Sequence, residues 1–209
     1  MRSSWARIFL WPAIAVVLTL AGCATTEIVN QWSHPEYRSL GFKKILVIGV
    51  SKQTSIRRSF EDEFVAQLKG AGVNAVSSYQ FIKEDGPVEE PRLQEAVKHA
   101  GADAALITRL LRVEQRTQVT PGYYEPFPVY GFYRWYSHAW HRYYEPPRVY
   151  HYEVYTSETS LYDMRKNQVV WSGTVETTGS GDIKKDIRSY VQVVLKELKQ
   201  KRFLEPVSL

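Results

Sequence analysis

Cysteine is almost missing from this sequence, since Cys23 is the single one among 209 residues. One cysteine excludes a disulfide within the chain. Cys23 directly follows an apolar run near the start, so the rest of the chain has no thiol for nucleophilic catalysis. The position of this cysteine indicates a modification site.

The chain also lacks a large excess of positive or negative charge. The 27 Lys and Arg residues exceed the 22 Asp and Glu residues by five, and by three without Arg2 and Arg7 near the start. Basic and acidic residues are interleaved along the chain. A nucleic-acid-binding protein needs a concentrated basic face, so this composition predicts no nucleic-acid partner.

The common catalytic motifs are absent as well. The sequence contains no Gly-x-Ser-x-Gly, no Walker phosphate loop, no His-Glu-x-x-His and no dinucleotide-binding fingerprint. We therefore expect a protein that is not an enzyme and that holds no cofactor and no metal ion.

The first 22 residues have the pattern of an export signal. Arg2 and Arg7 supply a positive start, and residues 8–20 form a mostly apolar run that is short for a membrane-spanning helix. The small residues Ala21 and Gly22 then precede Cys23. This pattern predicts a signal peptide over residues 1–22, cleaved between Gly22 and Cys23.

The four residues 20–23, Leu-Ala-Gly-Cys, resemble the bacterial lipobox. That resemblance implies that Cys23 carries two or three acyl chains, which together hold a protein durably on a membrane. Residue 24 is Ala and not Asp, which by resemblance to Gram-negative sorting rules implies the periplasmic face of the outer membrane. In a Gram-positive source the same anchor implies the outer face of the plasma membrane.

Five segments after the leader have the pattern of β-strands. Residues 43–50 and 74–77 are short apolar runs, and residues 104–119 are rich in β-branched residues. Residues 150–163 and 168–178 alternate polar and apolar residues around a polar turn. Residues 23–40 have no clear periodicity and are expected to be a lipidated polar tether.

Three segments have the helical repeat, with apolar residues three or four positions apart. The residues expected to start and stop these helices are Thr54 or Ser55 with Gly70 and Gly72, then Pro91 with Gly101, then Asp182. The element order is therefore β-α-β-α-β-β-β-α. This order predicts a single α+β domain over residues 41–209, with helices packed against a mixed sheet.

Two segments resemble a known group of proteins. The sequence KKILVIGVSKQTSIRRSFEDEFVAQLKGAGVNAV (residues 43–76) resembles the opening of small bacterial envelope lipoproteins of unknown function. Residues 161–163 (LYD) and 169–173 (VVWSG) are similar to a hairpin of the same proteins. Their layout is similar to the domain shared by the TolB amino-terminal region, the curli-secretion lipoprotein and the activator lipoproteins of penicillin-binding proteins. The resemblance implies a role in binding partners.

An insertion rich in aromatic residues separates the third and fourth predicted strands, over residues 120–147. Five prolines there oppose regular structure, and a long irregular segment of this kind is often functional. Its rings are expected to bind an envelope protein or a glycan, to contact the membrane, or to form a second small core. The candidate binding residues are Tyr123, Tyr124, Tyr130, Tyr133, Trp135, Tyr136, Trp140, Tyr143 and Tyr144.

Three weaker patterns have competing explanations. A metal-dependent hydrolase could be built on His138, His141, Glu145 and His151. The preferred explanation is that these side chains simply make the loop polar. Residues 61–63, an acidic run, are expected to be a solvated helix face. Residues 179–182, Gly-Ser-Gly-Asp, have two explanations: they bind an anion at the amino terminus of the last helix, or they form a loop that ends in the N-cap of that helix.

Overall fold

The structure is a computed structural model that describes residues 25–37, 41–123, 131–133, 136 and 146–204. The described residues form six strands and three α-helices, together with a short 3-10 turn at Ser78–Gln80. The strands are β1 (Thr26–Ser33), β2 (Lys44–Val50), β3 (Asn74–Ser77), β4 (Ala104–Thr120), β5 (Arg148–Asp163) and β6 (Gln168–Thr178). The helices are α1 (Thr54–Gly70), α2 (Glu90–Ala100) and α3 (Ile183–Gln200).

The six strands form one mixed sheet in the order β1-β6-β5-β4-β2-β3. β2 pairs in parallel with both β3 and β4, whereas β4, β5, β6 and β1 form an antiparallel meander. The predicted α+β class, with helices packed on a mixed sheet, is confirmed. The aromatic insertion lies between β4 and β5.

β1 differs from the sequence prediction, because it occupies most of the segment expected to be a polar tether. Ile28 pairs with Val175 of β6, and the indole Nε1 of Trp171 donates a hydrogen bond to Gln31 at 3.2 Å. β1 is an edge strand that is exposed along most of its length. Its sequence lacks a buried face, so its pairing with β6 depends on contacts distant in the chain.

The main core lies between the sheet and the pair α1 and α3. Every second residue of each strand points to this face, and the apolar faces of both helices cover it. Trp171 of β6 is completely buried. The largest buried members of this core are Trp171, Phe42, Phe64, Phe203, Ile45, Leu68, Leu106, Leu161 and Leu198.

A smaller core lies on the other face, where α2 crosses from β3 back to β4. Leu46 points opposite to its neighbours Ile45 and Val47, and it is buried outside the main core. The other described apolar residues that are buried outside that core are Ile82, Ala96, Ala100, Ala105 and Val154.

The helix ends match the sequence at three places and differ at one. Asp182 caps α3 by accepting from the backbone N–H of Lys184 and Lys185, and Gly101 ends α2 in the left-handed region at φ 61°. The predicted N-cap of α1, Thr54 or Ser55, is wrong: its N-cap is Gln53, without a side-chain bond, whereas the helix ends at Gly70 as predicted. The hydroxyl of Thr54 donates instead to the Asp85 carboxylate.

Candidate functional site

The first candidate site is a two-stranded arm that continues β4 and β5 beyond the rest of the sheet. β2 ends opposite Arg109 and β6 ends opposite Val154. Residues 115–120 and 148–153 therefore pair only with each other, and we call them the arm. At about 3.3 Å per residue, six pairs extend the arm by about 20 Å.

The arm is exposed to solvent, including its apolar residues. Val119 pairs directly with Val149, and their side chains are 58% and 54% exposed. Tyr150 is 49% exposed. A ribbon of two strands is at best marginally stable in water when nothing packs on it. The arm therefore presents apolar and backbone groups that suit a partner.

The described residues of the aromatic insertion are also exposed. Tyr123 is 65%, Tyr133 89% and Tyr136 56% exposed. The ring of Phe132 lies 5.5 Å from that of Tyr133 and 6.2 Å from that of Tyr136. The candidates outside the described residues are Tyr124, Tyr130, Trp135, Trp140, Tyr143 and Tyr144, as are Gly22 and Cys23 at the predicted cleavage site.

The histidine pattern is described only in part. His138, His141 and Glu145 lie outside the described residues. His151 lies on the arm, where its Nδ1 is 3.1 Å from the hydroxyl of Thr117. The described part of the chain holds no group of three His, Cys, Asp or Glu side chains placed to bind a metal ion.

The second candidate site is a cleft between the amino-terminal halves of α1 and α3. It lies over the carboxyl ends of β2 and β6 and over the middle of β4 and β5, and it has a volume of about 360 Å³. Gly49 forms part of its wall, and a Cβ there would lie 3.3 Å from the Phe60 ring. The apolar residues that line the cleft include Val50, Ile56, Phe60, Leu110, Ile183 and Ile187.

The two charged residues that line the cleft are Arg57 and Asp186, and both are neutralised or hydrogen-bonded. Arg57 pairs with Glu61 and with Asp85. Asp186 accepts from the backbone N–H of Ser180, at 3.0 and 3.2 Å to its two oxygens. The charge of Arg57 is therefore compensated within the protein.

The Asp186 contact also decides between the two explanations for residues 179–182. The N–H of Ser180 serves Asp186, and the N–H groups of Lys184 and Lys185 serve Asp182. Carboxylates of the chain itself occupy these donors, so the loop ends in an N-cap and does not bind an external anion.

Hydroxyl groups form the floor of the cleft. The hydroxyls of Thr108 and Thr159 lie 2.6 Å apart, and Thr159 lies 2.7 Å from the hydroxyl of Tyr190. Burial raises the pKa of Tyr190 to about 12. At the end nearest β1, a hydrogen bond to Glu153 raises the pKa of Tyr155 to about 12.

Thr177, on the floor of the same cleft, differs from Thr108 and Tyr190 because its hydroxyl is not hydrogen-bonded within the described residues. Its side chain lines the cleft and is 4% exposed, yet its hydroxyl has no hydrogen-bond partner among the described residues. A buried hydroxyl without a partner is energetically unfavourable. Such a group at a cleft wall suits a ligand that brings an acceptor or a donor.

The expectation of a solvated face over residues 61–63 is wrong for Glu61, which is completely buried. Glu63 does lie at the surface, 3.3 Å from the exposed side chain of Arg188. Glu61 is covered because the end of β2 and the turn after β3 both pack onto this side of α1. Its carboxylate accepts from the backbone N–H of Gly49 and Tyr79, the hydroxyl of Ser78 and Nε of Arg57.

This buried cluster holds the wall of the cleft in place. Besides Glu61, Arg57 bonds the hydroxyl of Ser78 and the carbonyl of Ile82, both at 3.0 Å. These bonds join α1, β2 and the segment after β3. With every charged atom bonded inside the protein, the cluster has a structural role beside the cleft.

No described helix is both long enough and apolar enough to cross a bilayer. A comparison with curated proteins found no match. Among solved structures, the PelC dodecamer from Paraburkholderia phytofirmans is similar at 14% identity, covering 87% of this chain and 100% of that one, with a TM-score of 0.46. Lipoprotein GNA1162 from Neisseria meningitidis is similar at 14% identity, covering 75% of this chain and 98% of that one, with a TM-score of 0.40.

The sequence from the end of α1 to the end of α3 matches one family model. The match covers residues 69–200, which include β3, α2, the meander with its aromatic insertion, and α3. This is more than half of the chain. The protein therefore belongs to the family described as Domain of unknown function (DUF4136).

Proposed function

We propose that this protein is a lipid-anchored lipoprotein of the cell envelope that acts as a non-catalytic interaction module. The arm and the aromatic insertion at its tip dock an envelope protein. The lipobox at residues 20–23 supports the anchor, and the resemblance of residues 43–76 to envelope lipoproteins supports the location.

The observation that carries the docking role is the exposure of the arm. Val119, Val149 and Tyr150 are each about half exposed on a ribbon that extends beyond the other strands of the sheet. Beyond the Glu153 carbonyl, which accepts from the backbone N–H of Gly179, the outer edges of both arm strands pair with no other described strand. Free strand edges and exposed aromatic residues are common features of surfaces that bind proteins.

The proposed anchor determines where such a partner is found. Thr26, the first residue of β1, pairs with Thr177 at the end of the sheet from which the arm projects. Cys23 is three residues earlier, so at most about 11 Å separates it from Thr26. The anchor and the arm therefore share one end of the domain, and the partner lies at the same membrane.

Photocrosslinking in cells tests the docking role. A photoreactive amino acid replaces Tyr150 on the arm, and the matched control carries it at Lys166, in the turn at the other end of β5. We expect one envelope protein to crosslink from position 150 and not from position 166. We also expect deletion of residues 123–145 to abolish that crosslink while the domain remains folded. Equal crosslinking from both positions, or no change on deletion, would contradict the role of the arm.

Acylation and fractionation test the anchor. Parent protein should incorporate labelled fatty acid and sediment with the outer membrane, and Cys23→Ser should do neither. By the sorting rule, Ala24→Asp should keep the label and move to the inner membrane of a Gram-negative host. An unlabelled parent that matures like Cys23→Ser would show that the anchor is absent.

Glycan binding is the second candidate function, and the exposed rings favour it. Phe132, Tyr133 and Tyr136 present clustered rings to solvent, and aromatic faces stack on sugars. Purified sacculi should pellet the parent protein but not the double variant Trp135→Ala/Trp140→Ala. Failure of the parent to pellet would leave protein docking as the sole candidate.

A further inference from the structure

We propose that the cleft between α1 and α3 holds one acyl chain of the protein's own lipid anchor when that chain is outside the membrane. This inference rests on the proposed lipidation of Cys23. It assigns a ligand, an uncharged fatty acyl ester or amide, to a cleft that the docking role of the arm does not use.

The shape and lining of the cleft suit an acyl chain. Its volume of about 360 Å³ is at the small end of ligand sites, which are commonly about 300–1,000 Å³. It therefore suits one chain and not the whole anchor. Its rim is apolar and open: Val50 is 54%, Leu110 53% and Ile183 49% exposed. Covering this rim with a hydrocarbon chain removes from water the apolar surface of the rim and that of the chain.

The charges of the cleft favour an uncharged chain over a free fatty acid. A free carboxylate needs a cation, and the cation that lines the cleft, Arg57, is bonded to Glu61 and Asp85. The Asp186 carboxylate in the opposite wall repels a second one. An acyl chain joined as an ester or an amide carries no charge and avoids both costs.

Thr177 provides a polar contact for such a chain. Its buried hydroxyl lacks a partner among the described residues, and an ester or amide carbonyl is a hydrogen-bond acceptor. A hydroxyl that donates to that carbonyl satisfies both groups. The hydroxyls of Thr108 and Tyr190, which also line the cleft, are already bonded to the buried hydroxyl of Thr159.

The start of β1 brings the anchor to the cleft. Thr26 pairs with Thr177, and the hydroxyl of Ser189 on α3 donates to the hydroxyl of Thr26 at 2.8 Å. Ser189 lies two residues after Ile187, which lines the cleft. Cys23 is within about 11 Å of Thr26, so a chain attached to it starts beside the end of the cleft formed by Thr177 and α3.

Photoactivatable acyl chains test this inference on the full, lipidated protein. Cells that express the protein receive a fatty acid with a diazirine in its chain. The purified protein is freed of detergent and irradiated, and acylated peptides are mapped by mass spectrometry. We expect adducts on residues 183–187 of α3 and on residues 155–157 of β5.

Two neighbouring variants make the test specific. Leu110→Arg places a charge on the rim of the cleft, and Leu111→Arg places it on the adjacent residue, which is 45% exposed and does not line the cleft. We expect Leu110→Arg to reduce the cleft adducts about tenfold or more, the effect of an unpaired charge beside an apolar chain. Leu111→Arg should leave them unchanged.

Each result has a distinct meaning. A parent that carries the probe but forms no adducts in the cleft overturns this inference and leaves the anchor intact. Equal adducts in Leu110→Arg and Leu111→Arg overturn it as well. A parent that incorporates no probe refutes the lipid anchor itself, and this inference with it.

Discussion

Arg57 and Glu61 form a buried ion pair across one turn of α1, with Nε 3.1 Å from Oε1 and side chains that are 5% and 0% exposed. Removing one partner of a buried pair leaves an uncompensated charge, which commonly costs about 3–5 kcal/mol. We therefore expect Glu61→Ala to lower the free energy of unfolding by that amount in urea denaturation.

A surface pair provides the control for this variant. Glu95 pairs with Arg92 on α2, and both side chains are about half exposed. Exposed pairs contribute at most about 1 kcal/mol, so Glu95→Ala should change stability little. Losses of similar size in both variants would show that the Glu61 cluster does not hold α1 to the sheet.

The raised pKa of Tyr190 predicts that the protein loses stability at alkaline pH. Its pKa is raised to about 12 by burial, whereas that of an unfolded tyrosine is about 10. Between these values the unfolded chain releases the proton and the folded one keeps it. This group's contribution is therefore complete below pH 10 and declines by about 1.4 kcal/mol per pH unit up to pH 12.

Comparison with Tyr190→Phe isolates this effect from other groups that titrate at high pH. The variant should be less stable than the parent at pH 8, because the bond to Thr159 is lost. Its urea midpoint should then decline less steeply than that of the parent from pH 10 to 12. Parallel pH profiles would show that Tyr190 ionises as easily in the folded state as in the unfolded one.

Two threonines on the same face of the sheet should respond in opposite ways to valine. Thr159 bonds both Thr108 and Tyr190, so Thr159→Val should cost about 1–3 kcal/mol. Thr177 has no such bond among the described residues, so Thr177→Val should be neutral or slightly stabilising in unlipidated Cys23→Ser protein. Thermal unfolding of both variants in that background measures the difference. A large loss for Thr177→Val would show that its hydroxyl has a partner within the protein.

Gly173 allows Trp171 to lie across β6. A Cβ at Gly173 would come within 2.5 Å of Cη2 of that indole. We expect Gly173→Ala to cost about 1–3 kcal/mol through overpacking and to change the near-ultraviolet circular dichroism of the buried Trp171. Gly70→Ala is the matched control, since nothing lies within 4 Å of its Cβ. Equal stability of the two variants would mean that the indole moves aside at no cost.

Local patterns were sufficient to predict much of the meander and the last helix. The alternation in residues 168–178 defines β6, and the apolar stripe after Asp182 defines α3, because both depend on neighbours in sequence. β1 was missed because β6 supplies its pairing and its own residues stay exposed. An edge strand of this kind has no hydrophobic alternation to detect.

The candidate sites were harder to predict, for a related reason. Arg57 and Glu61, four positions apart, have the same spacing as an exposed surface pair, and only the packing of β2 and the turn after β3 makes them buried. The cleft exists only where α1 and α3 meet. The sequence analysis did not single out Gly49, although a glycine within a strand often marks a close approach of another element and could have indicated the cleft.

The placement of Thr26 beside Thr177 gives the domain a definite orientation relative to the proposed anchor at Cys23. The turn between β5 and β6, at residues 164–167, is at the far end of the eleven-residue β6, about 35 Å along the strand. An affinity tag inserted between Lys166 and Asn167 would thus stand well clear of the lipid headgroups. Antibody accessibility of that tag in intact membranes would report directly on how upright the protein stands.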